Sequence, residues 1–264
     1  AKLFAIVENS YELEIILNEI KNFNFYILGA GSNLLIRDKG FNGAIIKLGK
    51  GFNTNKIIEN KLEVGASVLD INLSNFALKN NIEGLEFFSG IPGSVGGAIK
   101  MNAGCFGSET NDKLESIEIY NRNFEKKILK KEEINLRYRS SDINNDQIIS
   151  KAIFEINYGK NNEIKDKMKN IKTKRLSTQP IINRTSGSTF KNPPNLFAAK
   201  LIEDSGCKGI TCGNAFVSDK HANFLINSGS ASATDIENLG KSIVEKVYAK
   251  FNVKLEWEVK IIGE

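Results

Sequence analysis

Histidine is nearly absent: 264 residues hold one, His221. Imidazole is the usual acid–base group near neutral pH. Any proton transfer by this protein therefore falls to His221 or to a less common donor. His221 lies in Ser218-Asp219-Lys220-His221-Ala222-Asn223, at the start of a helix or turn, where a structural role is the default reading. Cysteine is also scarce. Cys105, Cys207 and Cys212 are too few for a disulfide scaffold, and their spacing matches no metal site. They read as small buried or partly buried residues of a reducing compartment. No apolar run approaches the length of a membrane span, about 18 residues. Secretory and lipidation signals are missing too, so a soluble, cytosolic protein is expected. Blocks of like charge are absent: the net charge of +5 is spread along the chain. Such a surface suits an anionic small ligand or a nucleic acid and decides neither. The aromatic residues do not alternate with basic ones as base stacking requires.

What remains is an ordinary globular composition, 41% apolar and 25% charged, long enough for a sizeable core and two domains. Glycine is where the sequence departs from the ordinary. Phe25-Tyr26-Ile27-Leu28 reads as a buried strand, and Gly29-Ala30-Gly31-Ser32-Asn33-Leu34-Leu35-Ile36 follows it. Two glycines with Ser and Asn after a strand suit a turn that lays backbone N–H groups against a phosphate. On local sequence alone, a simple turn explains them equally well. A dinucleotide-binding fold of the doubly wound type fits poorly. The third glycine of its fingerprint would fall at Leu34, Arg37-Asp38-Lys39-Gly40 interrupts any following helix, and no acid lies near Gly49.

A second cluster spans residues 90–107: Gly90-Ile91-Pro92-Gly93-Ser94-Val95-Gly96-Gly97-Ala98, then Ile99-Lys100-Met101-Asn102-Ala103-Gly104-Cys105-Phe106-Gly107. It is neither polar nor repetitive, as a linker would be. Backbone packed closely against a large flat ligand explains it better, each missing side chain leaving room for a ring.

The rest reads as alternating elements. A helix starts at Ser10 as N-cap, with Leu13, Ile16, Leu17 and Ile20 on one face. Strands are expected over 43–48, 61–65, 116–121, 126–130 and 152–158, and a helix over 68–79. Residues 161–173 form a lysine-rich connecting helix, which puts a domain boundary near Gly159. Beyond it come a helix over 196–205 ended by Gly206, strands over 216–218 and 224–226, a long helix opened by Thr234-Asp235 and running to Phe251, and a last strand over 257–262.

Both glycine clusters, together with Met101-Asn102-Ala103-Gly104, resemble UDP-N-acetylenolpyruvoylglucosamine reductases, flavoenzymes of peptidoglycan precursor synthesis. The likeness continues through Tyr138-Arg139-x-Ser141, Gly187-Ser188-x-Phe190-Lys191-Asn192-Pro193 and Leu255-Glu256-x-Glu258-Val259, in the family's order. It implies an α+β fold. A two-lobed FAD-binding domain of the vanillyl-alcohol-oxidase type spans 1–159, its lobes about 1–50 and 51–159. A C-terminal α/β substrate-binding domain spans 160–264. It also implies non-covalent FAD held by Gly29, Ala30, Gly31, Ser32, Asn33 and Leu34, and by Gly90, Ile91, Pro92, Gly93, Ser94, Gly97, Ala98, Asn102 and Gly104. NADPH is the implied reductant, and the enolpyruvyl ether of UDP-N-acetylglucosamine the implied substrate.

Arg139, Ser188 and Glu258 are the catalytic residues by the same resemblance, and Tyr138, Arg175, Lys191 and Asn192 the substrate-binding ones. The short stretch from Arg139 to Arg175 is similar to the family branch that lacks an extra substrate-covering loop. Family members also carry a further N-terminal segment. One position departs from the family. Thr178 or Gln179 stands where a lysine often precedes Pro180, so charge compensation for the diphosphate passes to Lys191 or Arg184. Two alternatives stay open at this stage: another flavin oxidoreductase of the same fold, and a non-catalytic nucleotide-sugar binding protein.

Overall fold

The structure, a computed structural model, describes residues 1–264. The chain forms two compact units, residues 1–31 with 43–173, and residues 32–42 with 174–264. The division differs from a cut at Gly159 in two ways. The helix Asn161–Thr178 contributes residues up to 173 to the first unit, and residues 32–42 belong to the second.

In the first unit, helix α1 (Ser10–Glu19) buries Leu13 and Leu17. Its N-cap is Asn9 rather than Ser10: the Asn9 carboxamide oxygen accepts the Glu12 N–H at 2.9 Å. Beside it lies a parallel sheet of three strands, Leu3–Val7, Ala44–Leu48 and Phe25–Ile27, with the apolar Ala44–Leu48 in the middle. A five-stranded antiparallel sheet runs in the order Lys126–Lys130, Leu114–Tyr120, Ile148–Glu155, Lys61–Gly65 and Asn55–Ile58. The strand expected over 152–158 begins earlier, at Ile148, and Asn157–Tyr158 pairs separately with Ile82–Glu83.

Helices α2 (Asp70–Lys79) and α3 (Val95–Met101) complete the unit's core with fully buried Leu73 and Ile99. Helix α3 lies inside the second glycine cluster, where the sequence reading assigns none. Glycine costs a helix up to about 1 kcal/mol per residue. Burial of Val95, Ala98 and Ile99 outweighs that cost, at about 1.5–3 kcal/mol for each large aliphatic side chain. Asn161–Thr178 is α4, and only Ile164 and Ile171 of it are buried.

The second unit holds α5 (Ala198–Asp204), α6 (Ala233–Phe251) and a small antiparallel sheet of Thr211–Cys212, Ala215–Val217 and Leu225–Asn227. Helix α6 starts in a reciprocal capping box. The Ser232 hydroxyl accepts the Asp235 N–H at 3.0 Å, and the Asp235 carboxylate accepts the Ser232 N–H at 3.0 Å. Its buried Leu239, Ile243 and Val247 recur at helical spacing.

Residues 32–42 join this unit through strand Leu34–Ile36, parallel to Lys260–Ile262. Side chains reinforce the pairing. The Asp38 carboxylate accepts the Ala233 and Thr234 N–H groups at 2.8 and 3.0 Å, at the start of α6. The Thr234 hydroxyl and these amides hold Asp38 below the usual carboxylate range. Arg37 forks onto Glu237 at 2.9 and 3.1 Å, which lowers the Glu237 carboxyl to about 2. No helix of the chain is long and apolar enough to cross a membrane.

Candidate functional site

In the first unit the first glycine turn leaves strand Phe25–Ile27 after the Leu28 N–H donates to Ile46 O at 2.8 Å. The N–H groups of Gly29, Ala30 and Gly31 then donate to no acceptor in the chain. Backbone donors left open in a row suit an anionic ligand. Ser94, 4% exposed, faces this turn. A Cβ on Gly29 would come to 2.6 Å from its hydroxyl, so the Ser94 side chain would have to turn away to admit one. Gly97 is exposed, and a Cβ there would meet only the Ser94 hydroxyl, at 3.5 Å. The two clusters therefore meet around Ser94, and Gly97 opens onto free space. These residues fit a cofactor with a diphosphate and a flat ring.

Asp70 lies behind the second cluster. Its N–H donates to Gly93 O at 3.1 Å, and its side chain has no exposed surface. Neither carboxyl oxygen has a hydrogen-bond partner of good geometry. A Cβ on Gly93 would sit 2.5 Å from Asp70 Oδ2. Burial pushes the Asp70 carboxyl well above the usual range, and the neighbouring Gly93 N–H acts weakly in the opposite sense. The sequence reading did not single out Asp70. A lone acid at a helix start reads as a solvated first-turn residue.

Tyr138 and Arg139 form the tip of a tight turn closed by Arg137 N–H to Ser140 O at 3.0 Å and Ser140 N–H to Arg137 O at 3.1 Å. Arg139 takes φ 53°, in the left-handed region. That conformation costs a non-glycine residue about 1–2 kcal/mol, and such strain concentrates at functional positions. The guanidinium donates to Gly104 O at 2.7 Å and Asn102 O at 3.4 Å, and lies over the Tyr138 ring at 4.9 Å.

Two residues expected to bind cofactor also have structural contacts within the chain. Asn102 has no exposed surface, and each end of its carboxamide makes a hydrogen bond within the chain. Gly104 is small because a Cβ would overlap the paired Ser108–Glu109 backbone.

In the second unit, Ser188-Thr189-Phe190-Lys191 runs between two stretches of backbone. On one side Ser188 bridges Phe224, and the Thr189 N–H donates to Asn223 O at 2.8 Å. On the other side the Glu258 N–H donates to Thr189 O at 2.8 Å and the Lys191 N–H to Glu256 O at 2.9 Å. Ser188 and Glu258, both half-buried, therefore sit in adjacent register. Asn33 joins them, its carboxamide donating to Glu258 O at 3.1 Å.

Buried Asn223 locks the segment. Its oxygen accepts the Phe190 N–H at 2.9 Å, and its nitrogen donates to Phe190 O at 2.8 Å. Lys191 pairs with exposed Glu256 at 3.5 Å, the Asn192 side chain caps α5 at Ala198 N, and Arg175 bonds Gln179 at 3.2 Å. Arg184 reaches Gly229 O at 3.5 Å.

His221 is packed into the second unit by its ring. Its Nδ1 accepts the Asn223 N–H at 3.3 Å, it packs edge-on to Phe224, and burial lowers its pKa. The three cysteines form no disulfide, and no group of side chains is arranged to hold a metal.

Comparison with known proteins also finds two parts, with residues 32–42 falling in the first of them. A family model for the C-terminal domain of UDP-N-acetylenolpyruvoylglucosamine reductase matches residues 179–262, and one for an FAD binding domain matches residues 1–123. The reductase of Rickettsia typhi is 42% identical over 265 residues, covering 100% of this chain and 90% of its own. That of Clostridium tetani is 46% identical over 244 residues, covering 92% and 79%.

The chain belongs to the UDP-N-acetylenolpyruvoylglucosamine reductase family.

The crystal structure of the Thermus caldophilus reductase matches with a TM-score of 0.86 at 33% identity, over 98% of this chain and 91% of that one. The reductase fold, an FAD-binding domain followed by the family's C-terminal domain, is thus the fold of this chain. Family membership separates it from other flavin oxidoreductases and from non-catalytic sugar-nucleotide binders. It is an FAD-containing oxidoreductase.

Proposed function

We propose that this reductase converts the enolpyruvyl ether of UDP-N-acetylglucosamine to UDP-N-acetylmuramate with NADPH, in the cytoplasm, as a step of peptidoglycan precursor synthesis. The observation that carries the reading is the glycine cradle of Gly29, Gly97 and Ser94, with open backbone donors beside it, in a chain whose relatives bear this reductase name along nearly its whole length. FAD, when bound, supplies the hydride chemistry.

The chain's own groups handle charge and the proton. Hydride arriving at C3 of the enolpyruvyl group leaves negative charge on C2 and its carboxylate. Arg139 is a permanent planar cation suited to those oxygens. Its strained backbone and carbonyl contacts fix the fork before substrate arrives. Ser188 donates the proton to C2. Its hydroxyl is a weak acid in water, but the acceptor is a strongly basic carbon and the segment is held rigid by Asn223.

Glu258, tied by its backbone to Thr189 and Asn33, orients the donor or a water. A bare carboxylate facing the substrate's own carboxylate would repel it. Tyr138, Arg175, Lys191 and Asn192 bind the sugar nucleotide, with Lys191 or Arg184 offsetting the diphosphate. Under anaerobic conditions, NADPH should bleach the flavin absorbance of the purified protein. The enolpyruvyl sugar should then restore it, with one lactyl ether formed per flavin. Restoration by oxygen alone, with no lactyl product, would overturn the reading.

A further inference from the structure

We propose that Asn102 is a positioning residue that holds Arg139 in its working geometry. The inference rests on the reading of Arg139 given above. Helix α3 ends at Met101, and Asn102 caps it in the left-handed conformation, φ 42°. Asparagine tolerates this region better than most residues. Its backbone and side chain then act on the same turn from two directions. The Asn102 carbonyl accepts the Arg139 guanidinium at 3.4 Å, and the carboxamide nitrogen donates to Arg137 O at 3.2 Å. Arg137 O is also the oxygen that closes the turn, accepting the Ser140 N–H at 3.1 Å.

The third contact anchors the strut itself, the carboxamide oxygen accepting the Asn111 N–H at 3.0 Å. Ser141 adds a parallel tie, its hydroxyl donating to Lys100 O at 2.7 Å. The last turn of α3 and the residues just after it thus offer three carbonyls, of residues 100, 102 and 104, to the segment 139–141. The other end of the same helix carries Gly97 and Ser94 of the cofactor cradle. A single short element therefore spaces the anion-binding arginine from the cradle. Removing the Asn102 carboxamide takes one of two donors from the Arg137 carbonyl and leaves the N–H of half-buried Asn111 without its acceptor. It also frees a turn whose backbone is already strained at Arg139.

Asn102→Gly tests this, because glycine keeps the left-handed cap and the backbone carbonyl and removes only the carboxamide. FAD affinity and the rate of flavin reduction by NADPH should stay within about twofold of wild type, while reoxidation by the enolpyruvyl sugar falls tenfold or more. A cycle with Arg139→Lys makes the assignment specific. Lysine cannot fork onto two carbonyls, so in that background Asn102→Gly should cost no further activity. If the glycine variant folds poorly, Asn102→Asp serves. It keeps the cap and the Asn111 contact, loses the donor to Arg137, and should show the same split between half-reactions. Loss of FAD affinity in step with both half-reactions would overturn the proposal and make Asn102 a cofactor or scaffold residue. Unchanged reoxidation in Asn102→Gly would overturn it as well. Unchanged reoxidation in Arg139→Lys and Arg139→Ala would instead remove the reading of Arg139 on which it rests.

Discussion

Substitution of Gly97 should make the cofactor-free protein more stable and FAD binding weaker. An ideal Cβ on Gly97 meets one atom, Ser94 Oγ, at 3.5 Å, an ordinary contact. Gly97 also lies inside α3 with a helical backbone. Alanine there gains about 0.5–1 kcal/mol of helix stability, which raises Tm by roughly 1–4 °C for a chain of this size. If the cofactor lies against that backbone, the added methyl intrudes on it. Overpacking of about 1–3 kcal/mol corresponds to a loss of roughly 5- to 150-fold in FAD affinity, and Gly97→Val should lose more. Gly93 is the control. A Cβ there falls 2.5 Å from the buried Asp70 carboxyl, which has no solvent to swing into, so Gly93→Ala should lower both stability and affinity. Thermal unfolding of the flavin-free proteins and titration by quenching of flavin fluorescence give the two quantities separately. Wild-type FAD affinity in both Gly97→Ala and Gly97→Val would refute the placement of the cofactor on α3.

Two titratable groups, buried Asp70 and half-buried His221, should leave opposite marks on stability. The Asp70 carboxyl is raised by burial, so the folded state holds its proton more tightly. Its share of stability therefore falls as pH rises from about 4 through the raised value. Asp70→Asn should become more stabilising relative to wild type as pH rises above about 4, as read by Tm; the same difference at acid and at neutral pH would refute it. His221 is lowered by burial, so stability that it contributes near neutrality is lost as pH falls below about 6.5. His221→Asn should flatten that part of the acid limb and keep turnover, and a loss of turnover by orders of magnitude would make His221 a proton donor after all.

Much of the fold was legible because periodicity reports burial directly. Leu62 and Val64 alternate in Lys61–Gly65, and Leu239, Ile243 and Val247 recur along α6, as their buried faces require. The membership of residues 32–42 was not legible. Arg37 and Asp38 read locally as an interruption, and their partners Glu237, Ala233 and Thr234 lie about 200 positions away. Helix α3 was hidden by its glycines, whose low propensity gives way to packing. At the candidate site the glycine pattern and the Arg139, Ser188 and Glu258 settings were readable as family motifs. Asp70 and Asn223 were not, and of Asn102, readable as a motif residue, the tie to the turn at 137–140 was not. Each is a single polar residue whose burial and hydrogen bonds arise only in three dimensions, and no spacing in the chain announces them.

Ser188 as proton donor is the claim on which the chemistry turns, and stopped-flow flavin absorbance of Ser188→Ala tests it most directly. The substitution removes one hydroxyl and leaves Arg139, the cradle and the Asn223 lock in place. Reduction by NADPH should proceed at close to the wild-type rate. Reoxidation by the enolpyruvyl sugar should slow by about 10²–10⁴-fold, the usual worth of a general acid, and Ser188→Cys should recover part of it, since a thiol can also donate. Equal slowing of both half-reactions would make Ser188 a structural residue. An unchanged reoxidation rate would contradict the account and move the proton to Glu258.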